Sequence, residues 1–168
     1  MVTDITEWRR GEFLVSTDRA RLDLDVIHGF LTNSYWAKGI SRELVARSLE
    51  HSLCFGIYDE SGSEGPDLAK AVRPGAPQVG FCRVVSDLAT VAYLGDVFVL
   101  ETYRGRGLSK FLMECVTQHP ALDGLRRWIL LTRDAHDLYK KFGFTPLKSA
   151  DRYMELHRPD VYEIRKTS

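Results

Sequence analysis

At 168 residues, 44% of them hydrophobic and 27% charged, the chain has the size and composition of one globular domain, not of a disordered, collagen-like or membrane-embedded protein. Lysine plus arginine equals aspartate plus glutamate at 23 each, so no global field gathers nucleic acid or an anionic membrane; an anionic ligand must be met locally. The opening MVTDITEWRR lacks the apolar run of a secretory leader, and no stretch approaches the roughly 20 apolar residues of a membrane helix, so a cytoplasmic protein is expected.

Residues 13–17 (FLVST) read as a short strand, and Leu22, Val26 and Phe30 recur at helical spacing over residues 22–31. The loop TNSYWAKGIS follows with two adjacent aromatics, Tyr35 and Trp36, and Ser41 is placed to cap a second helix ending near His51. Residues 53–58 and 78–85 read as strands, separated by a stretch rich in Gly, Pro, Ser and Asp that predicts a long, mobile hairpin loop. Residues 89–99 are nearly continuous in apolar side chains, which predicts a central strand covered on both faces, with Gly95 marking a bulge. Leu108, Phe111, Leu112, Cys115 and Val116 then trace one stripe of an amphipathic helix. Residues 128–132 read as a strand, residues 135–142 as a helix closed by Gly143, and residues 144–156 as one or two final strands. The three cysteines, Cys54, Cys82 and Cys115, lack CxxC spacing and fall in apolar segments, as small reduced core residues do.

Between the central strand and that helix lies Tyr103-Arg104-Gly105-Arg106-Gly107-Leu108-Ser109-Lys110. A turn of this kind offers free backbone N–H groups and a positive helix end to an anion, and its glycines let a phosphate approach the main chain. A phosphate or pyrophosphate site is therefore predicted at Arg104 to Lys110. A P-loop is excluded, because Gly105 and Gly107 are separated by one residue rather than four, and a dinucleotide fingerprint would need glycine where Lys110 stands.

The turn resembles the Arg/Gln-x-x-Gly-x-Gly/Ala pattern of the GNAT N-acetyltransferases, matched by Arg104, Gly107 and Ser109 with Ser in the last small position. Upstream, Val97, Phe98 and Val99 are similar to the family strand whose main chain pairs with the pantetheine arm of coenzyme A. Downstream, Tyr139 to Phe144 resembles its Tyr-x-x-x-Gly-Phe signature, with Ala135 as the small residue before it. The resemblance covers about residues 77–147 and implies an α/β fold: one GNAT-like domain over residues 1–168, a mixed central sheet of about six or seven strands, and about four flanking helices.

Resemblance also implies chemistry. Acetyl-CoA is the co-substrate, bound by Val97, Phe98, Val99, Arg104, Gly105, Arg106, Gly107, Leu108, Ser109 and Lys110. Tyr139 is the implied general acid, since a phenol near its reference pKa of about 10 still holds its proton at neutral pH; an ordinary packing aromatic is the competing reading. Tyr93-Leu94-Gly95-Asp96 resembles a Tyr-Leu-Glu-Asp segment of polyamine-type members, and the glutamate credited there with deprotonation falls at Gly95. Asp96 is then the leading polar candidate for base or acceptor contact, beside a purely structural role, because an acid within an apolar strand costs desolvation. Asp134 and His136, at the start of the Tyr139 helix, are secondary candidates, beside the readings of Asp134 as an N-cap for residue 135 onward and of His136 as a solvated first-turn residue.

Tyr35 and Trp36, and after them Tyr153 and Met154, are candidate acceptor contacts, with core or dimer packing as the alternative. The five histidines show no HxH or HExxH spacing, so no metal is expected. The leading reading is an N-acetyltransferase acting on a small-molecule amine or a peptide lysine, as monomer or homodimer, without nucleic acid or membrane. Two alternatives stand beside it: a non-catalytic acyl-CoA-binding module, which the Gly95 departure permits, and a phosphate-binding regulator.

Overall fold

A computed structural model describes residues 4–62 and 75–164 of the chain. The expected long hairpin loop falls mostly on residues 63–74, outside the described residues.

The N-terminal hairpin pairs β1 (Glu7–Arg10) with β2 (Phe13–Ser16), Arg10 standing opposite Phe13. Its two-residue turn needs Gly11, whose φ of +56° is a left-handed conformation that favours glycine. β1 escaped the sequence reading because EWRR carries three charges in four residues. Those charges suit an edge strand, where they discourage pairing with a second chain.

β2 leads through α1 (Leu24–Leu31) and α2 (Arg42–Glu50) to β3 (Leu53–Asp59), β4 (Gln78–Ser86) and β5 (Val91–Val99). Asp23 caps α1 by accepting from the N–H groups of Asp25 and Val26, and Ser41 caps α2 by accepting from Leu44. α3 (Leu108–Thr117) crosses over to β6 (Arg127–Leu130), which runs parallel to β5; then come α4 (His136–Lys140) and α5 (Val161–Ile164). Among the described residues six strands lie in chain order, antiparallel up to the β5–β6 pair, in a mixed sheet flanked by five α-helices.

Each face of the sheet buries its own layer. Ile27, Leu31, Val45 and Leu49 of α1 and α2 pack on Cys54, Phe81 and Phe98, while the predicted stripe of α3 is buried whole against Val15, Phe55, Ile57, Val84 and Leu94. Fully burying such a side chain stabilises by about 1.5–3 kcal/mol, so the layers and not helix propensity hold these short helices. All three cysteines are free and buried, and burial pushes the Cys54 thiol up to about 11 and the Cys115 thiol up to about 12.

Two expectations are corrected. β5 is covered on both faces only toward its C-terminal end, because α1 and α2 stop short of its first half, and Val91 and Tyr93 are exposed opposite buried Ala92 and Leu94. No strand forms over residues 144–156. Pro146 has no N–H for a ladder, and charged residues interrupt any apolar face, so Met154 and Leu156 are left 98% and 84% exposed around a short 3-10 turn.

Candidate functional site

The site forms where the sheet parts. Parallel pairing of β5 with β6 runs from Val91↔Arg127 to Leu94↔Leu130 and ends there, whereas the other edge of β5 continues along β4 to Gly80↔Val99. Gly95 to Val99 therefore has no β6 partner, and that edge of the main chain is open to a ligand's hydrogen bonds. The parting begins at a bulge. The β4–β5 register shifts between Phe81 and Arg83, and Asp96 adopts φ +55°, a left-handed conformation that Asp tolerates better than most residues. The bulge predicted at Gly95 is thus present, one residue wide of it.

Past the open edge, Gly105 and Gly107 take φ values of +78° and +74°, and Gly107 is the N-cap of α3. Because glycine has no side chain to cap with, the first N–H groups of α3 stay free; the earliest i→i−4 bond is from Phe111 N–H to the Gly107 carbonyl at 3.0 Å. They border a cavity of about 260 Å³ lined by Val99, Tyr103, Arg104, Gly105, Gly107, Leu108, Ser109, Lys110 and Leu138. Free N–H groups, a helix N-terminus, Arg104 and Lys110 around one cavity fit a pyrophosphate.

Most of the cofactor residues named from sequence meet here, with two qualifications. Arg106 lies outside the lining, ion-paired with Glu12 at 3.6 Å and stacked over Tyr103 at 5.1 Å. Val97 and Phe98 can offer only main chain. The Phe98 ring is buried on the opposite face, stacked on Phe30 at 4.0 Å, and Val97 packs against the α3 layer. Arg104 also ties the turn to the strand, donating from Nε to the Val99 carbonyl at 3.3 Å.

Leu138 of the cavity wall precedes Tyr139, which is buried against Phe144 at the start of the segment that Gly143 closes with φ +84°. Burial pushes the Tyr139 phenol up to about 12, and Cys82, Tyr35 and Asp134 push more weakly in the same direction. Its hydroxyl makes no hydrogen bond among the described residues, and the phenol keeps its proton at neutral pH. Asp134 does not cap α4; Thr132 Oγ1 accepts from Ala135 N–H at 3.0 Å instead.

On the other side of the opening stand the acceptor candidates. Trp36 Nε1 donates to Asp96 Oδ1 at 3.0 Å, and Arg83 Nε donates to Asp96 Oδ2 at 2.5 Å while its Nη1 reaches Ser52 Oγ at 3.3 Å. Tyr35 Oη accepts from Arg133 N–H at 3.3 Å, and the Arg133 guanidinium lies 3.9 Å from the Tyr35 ring centre. Arg83 and Arg133 were missed by sequence reading. Arg83 could have been noticed as the one charge inside an apolar strand, whereas nothing local marks Arg133. Tyr153 is not part of this group: it lies beside Arg127, at the far end of β6, and Met154 projects into solvent.

A relative fixes the family. The candidate acetyltransferase FG08082 of Gibberella zeae is 34% identical over 149 residues, spanning 83% of this chain and 82% of its own. The chain belongs to the GNAT acetyltransferase family. The acetyltransferase (GNAT) domain family matches residues 71–146, which contain both the turn and Tyr139. The crystal structure of a candidate GNAT acetyltransferase from Xanthomonas campestris pv. campestris superposes with a TM-score of 0.78 at 46% identity, covering 90% of this chain and 97% of that one. The fold alone is shared with Rv2747 of Mycobacterium tuberculosis, solved in complex with CoA, at 19% identity and a TM-score of 0.54 over 80% of this chain and 72% of that one. Family membership makes the protein an acyltransferase. No helix among the described residues is long and apolar enough to cross a membrane.

Proposed function

We propose that the protein transfers an acetyl group from acetyl-CoA to the primary amine of a small molecule or a lysine side chain. The observation that carries this reading is Tyr139, a protonated phenol with an unengaged hydroxyl, set one residue beyond the wall of the anion-ready cavity. Acetyl-CoA supplies the activated acyl carbon as a thioester. The open main chain of Gly95 to Val99 aligns its arm and offers N–H groups to the negative charge that builds on the thioester oxygen. The amine reacts as the neutral base, its ammonium proton having passed to solvent beforehand, and its nitrogen forms the new C–N bond as the C–S bond breaks. Tyr139 gives its proton to the departing sulfur and is reprotonated from the nitrogen, which loses one on acylation, directly or through water. In this reading Asp96, held by Trp36 and Arg83, orders the acceptor wall. Three free, buried thiols accord with a reducing, cytoplasmic setting.

The second reading is an acyl-CoA-binding module without turnover. It is favoured by one feature: Gly95 stands where the resemblance to polyamine-type members implies a glutamate, and the one carboxylate on β5, Asp96, is paired with Arg83. Release of free thiol from acetyl-CoA, measured across polyamines, amino acids, aminoglycosides, aromatic amines and lysine peptides, decides between them. Amine-dependent release is expected; saturable CoA binding with no release for any amine would leave only the binding module.

A further inference from the structure

Three exposed aromatic rings stand on the acceptor side of the opening, around Asp96 and Gly95. Tyr35 meets Trp36 edge-on at 4.9 Å, Trp36 is tied to Asp96, and the Tyr93 ring lies across Gly95 so closely that a Cβ there would stand 3.0 Å from it. Tyr35, Trp36 and Tyr93 are 49%, 42% and 38% exposed, far more than packing rings need. The Tyr93 ring thus covers the position from which a carboxylate would project if Gly95 were acidic.

Charge on this side is equally particular. Asp96 is neutralised by Arg83, and the face of Tyr35 already carries the Arg133 guanidinium. An exposed acid without an ion pair among the described residues, Asp134, lies at the Tyr139 end, where it is felt by the Tyr139 phenol. One ammonium can therefore be met beside Tyr139. A second, a few bonds further along the acceptor, would find Arg133 and a neutralised carboxylate, and desolvating it there without a partner is costly.

Resting on the transfer reading above, the geometry points to an acceptor with a single ammonium on a flat, aromatic body, an arylalkylamine-like molecule, and to the rejection of polyamines. The body stacks on Trp36 and Tyr93, and the amine reaches Tyr139. Stacking on two rings of this kind gives roughly a 10-fold preference.

The test compares kcat/KM for phenethylamine and spermidine at saturating acetyl-CoA, in the wild type and in Trp36→Ala. The expected result is a preference for phenethylamine of roughly 10-fold, and a loss of roughly 3-fold or more in Trp36→Ala that falls on the KM for phenethylamine and exceeds the loss for spermidine. The CoA-induced thermal shift should be unchanged, which shows the variant folded. Spermidine used as well as or better than phenethylamine would overturn the inference while leaving the transferase standing. So would an equal loss for both amines in Trp36→Ala, which would make the ring merely structural. If neither these nor any other amine is acetylated although CoA binds, the transferase reading itself fails, and this inference with it.

Discussion

The two sides of the opening between β5 and β6 are built from different materials. The proposed coenzyme side is main chain: two left-handed glycines, the first N–H groups of one helix, without partners among the described residues, and a strand edge. The acceptor side is side chain: Tyr35 and Trp36 from the loop after α1, Arg83 from β4, Tyr93 and Asp96 from β5, and Arg133 from the loop after β6. Backbone recognition depends on conformation, which few sequences satisfy. Side-chain recognition depends on tertiary juxtaposition, which many sequences can satisfy differently. The first side is suited to a fixed ligand, the second to a ligand that changes from one family member to another.

The largest effect should come from the coenzyme side. In Gly107→Val, no atom of the described residues beyond the chain neighbours lies within 4 Å of the new Cβ, so the domain should fold. A β-branched residue at φ +74° is nevertheless strained, and its side chain stands at the phosphate approach. CoA should no longer raise the melting temperature. Retention of that shift would remove the turn from the site.

Tyr139 stands between the two sides, and Tyr139→Phe removes only its hydroxyl. General acid catalysis is typically worth about 10²-fold to 10⁴-fold, and a thiol leaves well, so kcat should fall by about 10²-fold with acetyl-CoA affinity nearly unchanged. Binding that collapsed together with the rate would make the hydroxyl a coenzyme contact. Wild-type kcat, with chemistry shown to limit turnover, would leave Tyr139 a packing residue.

The smallest effect belongs to the acceptor wall. Asp96→Asn keeps an acceptor for the Trp36 indole and tolerates φ +55°, but leaves Arg83 without its counter-charge. Acceptor KM should rise several-fold, with kcat changing less and the CoA thermal shift preserved. A loss of kcat on the order of 10²-fold, with disappearance of the acid limb of the pH–rate profile, would instead make Asp96 the base.

The same division explains what could be read from the sequence. The α3 stripe and the turn before it are consecutive residues whose periodicity and glycines act locally, so the helix and its left-handed turn formed where expected, and a cavity borders them. Ser41 and Gly143 acted as cap and stop for the same reason. β1 was hidden because an edge strand can be charged. Residues 144–156 read as strand on propensity alone, which tertiary context overrides. Arg83 and Arg133 acquire their meaning only from partners 13 and 98 residues away along the chain, and no local pattern records that.

A sheet that stops pairing midway along an inner strand leaves its ladder unfinished on one side. If the arm of the co-substrate finishes it, part of the cohesion of the domain is supplied by a metabolite. By mass action a ligand at 100 times its Kd adds about 2.7 kcal/mol to the native state, a large fraction of the margin by which a domain stays folded. The lifetime of such a protein against cellular proteases would then follow the supply of acyl donor, and starvation for coenzyme A would thin the population of the enzyme as well as slow its reaction.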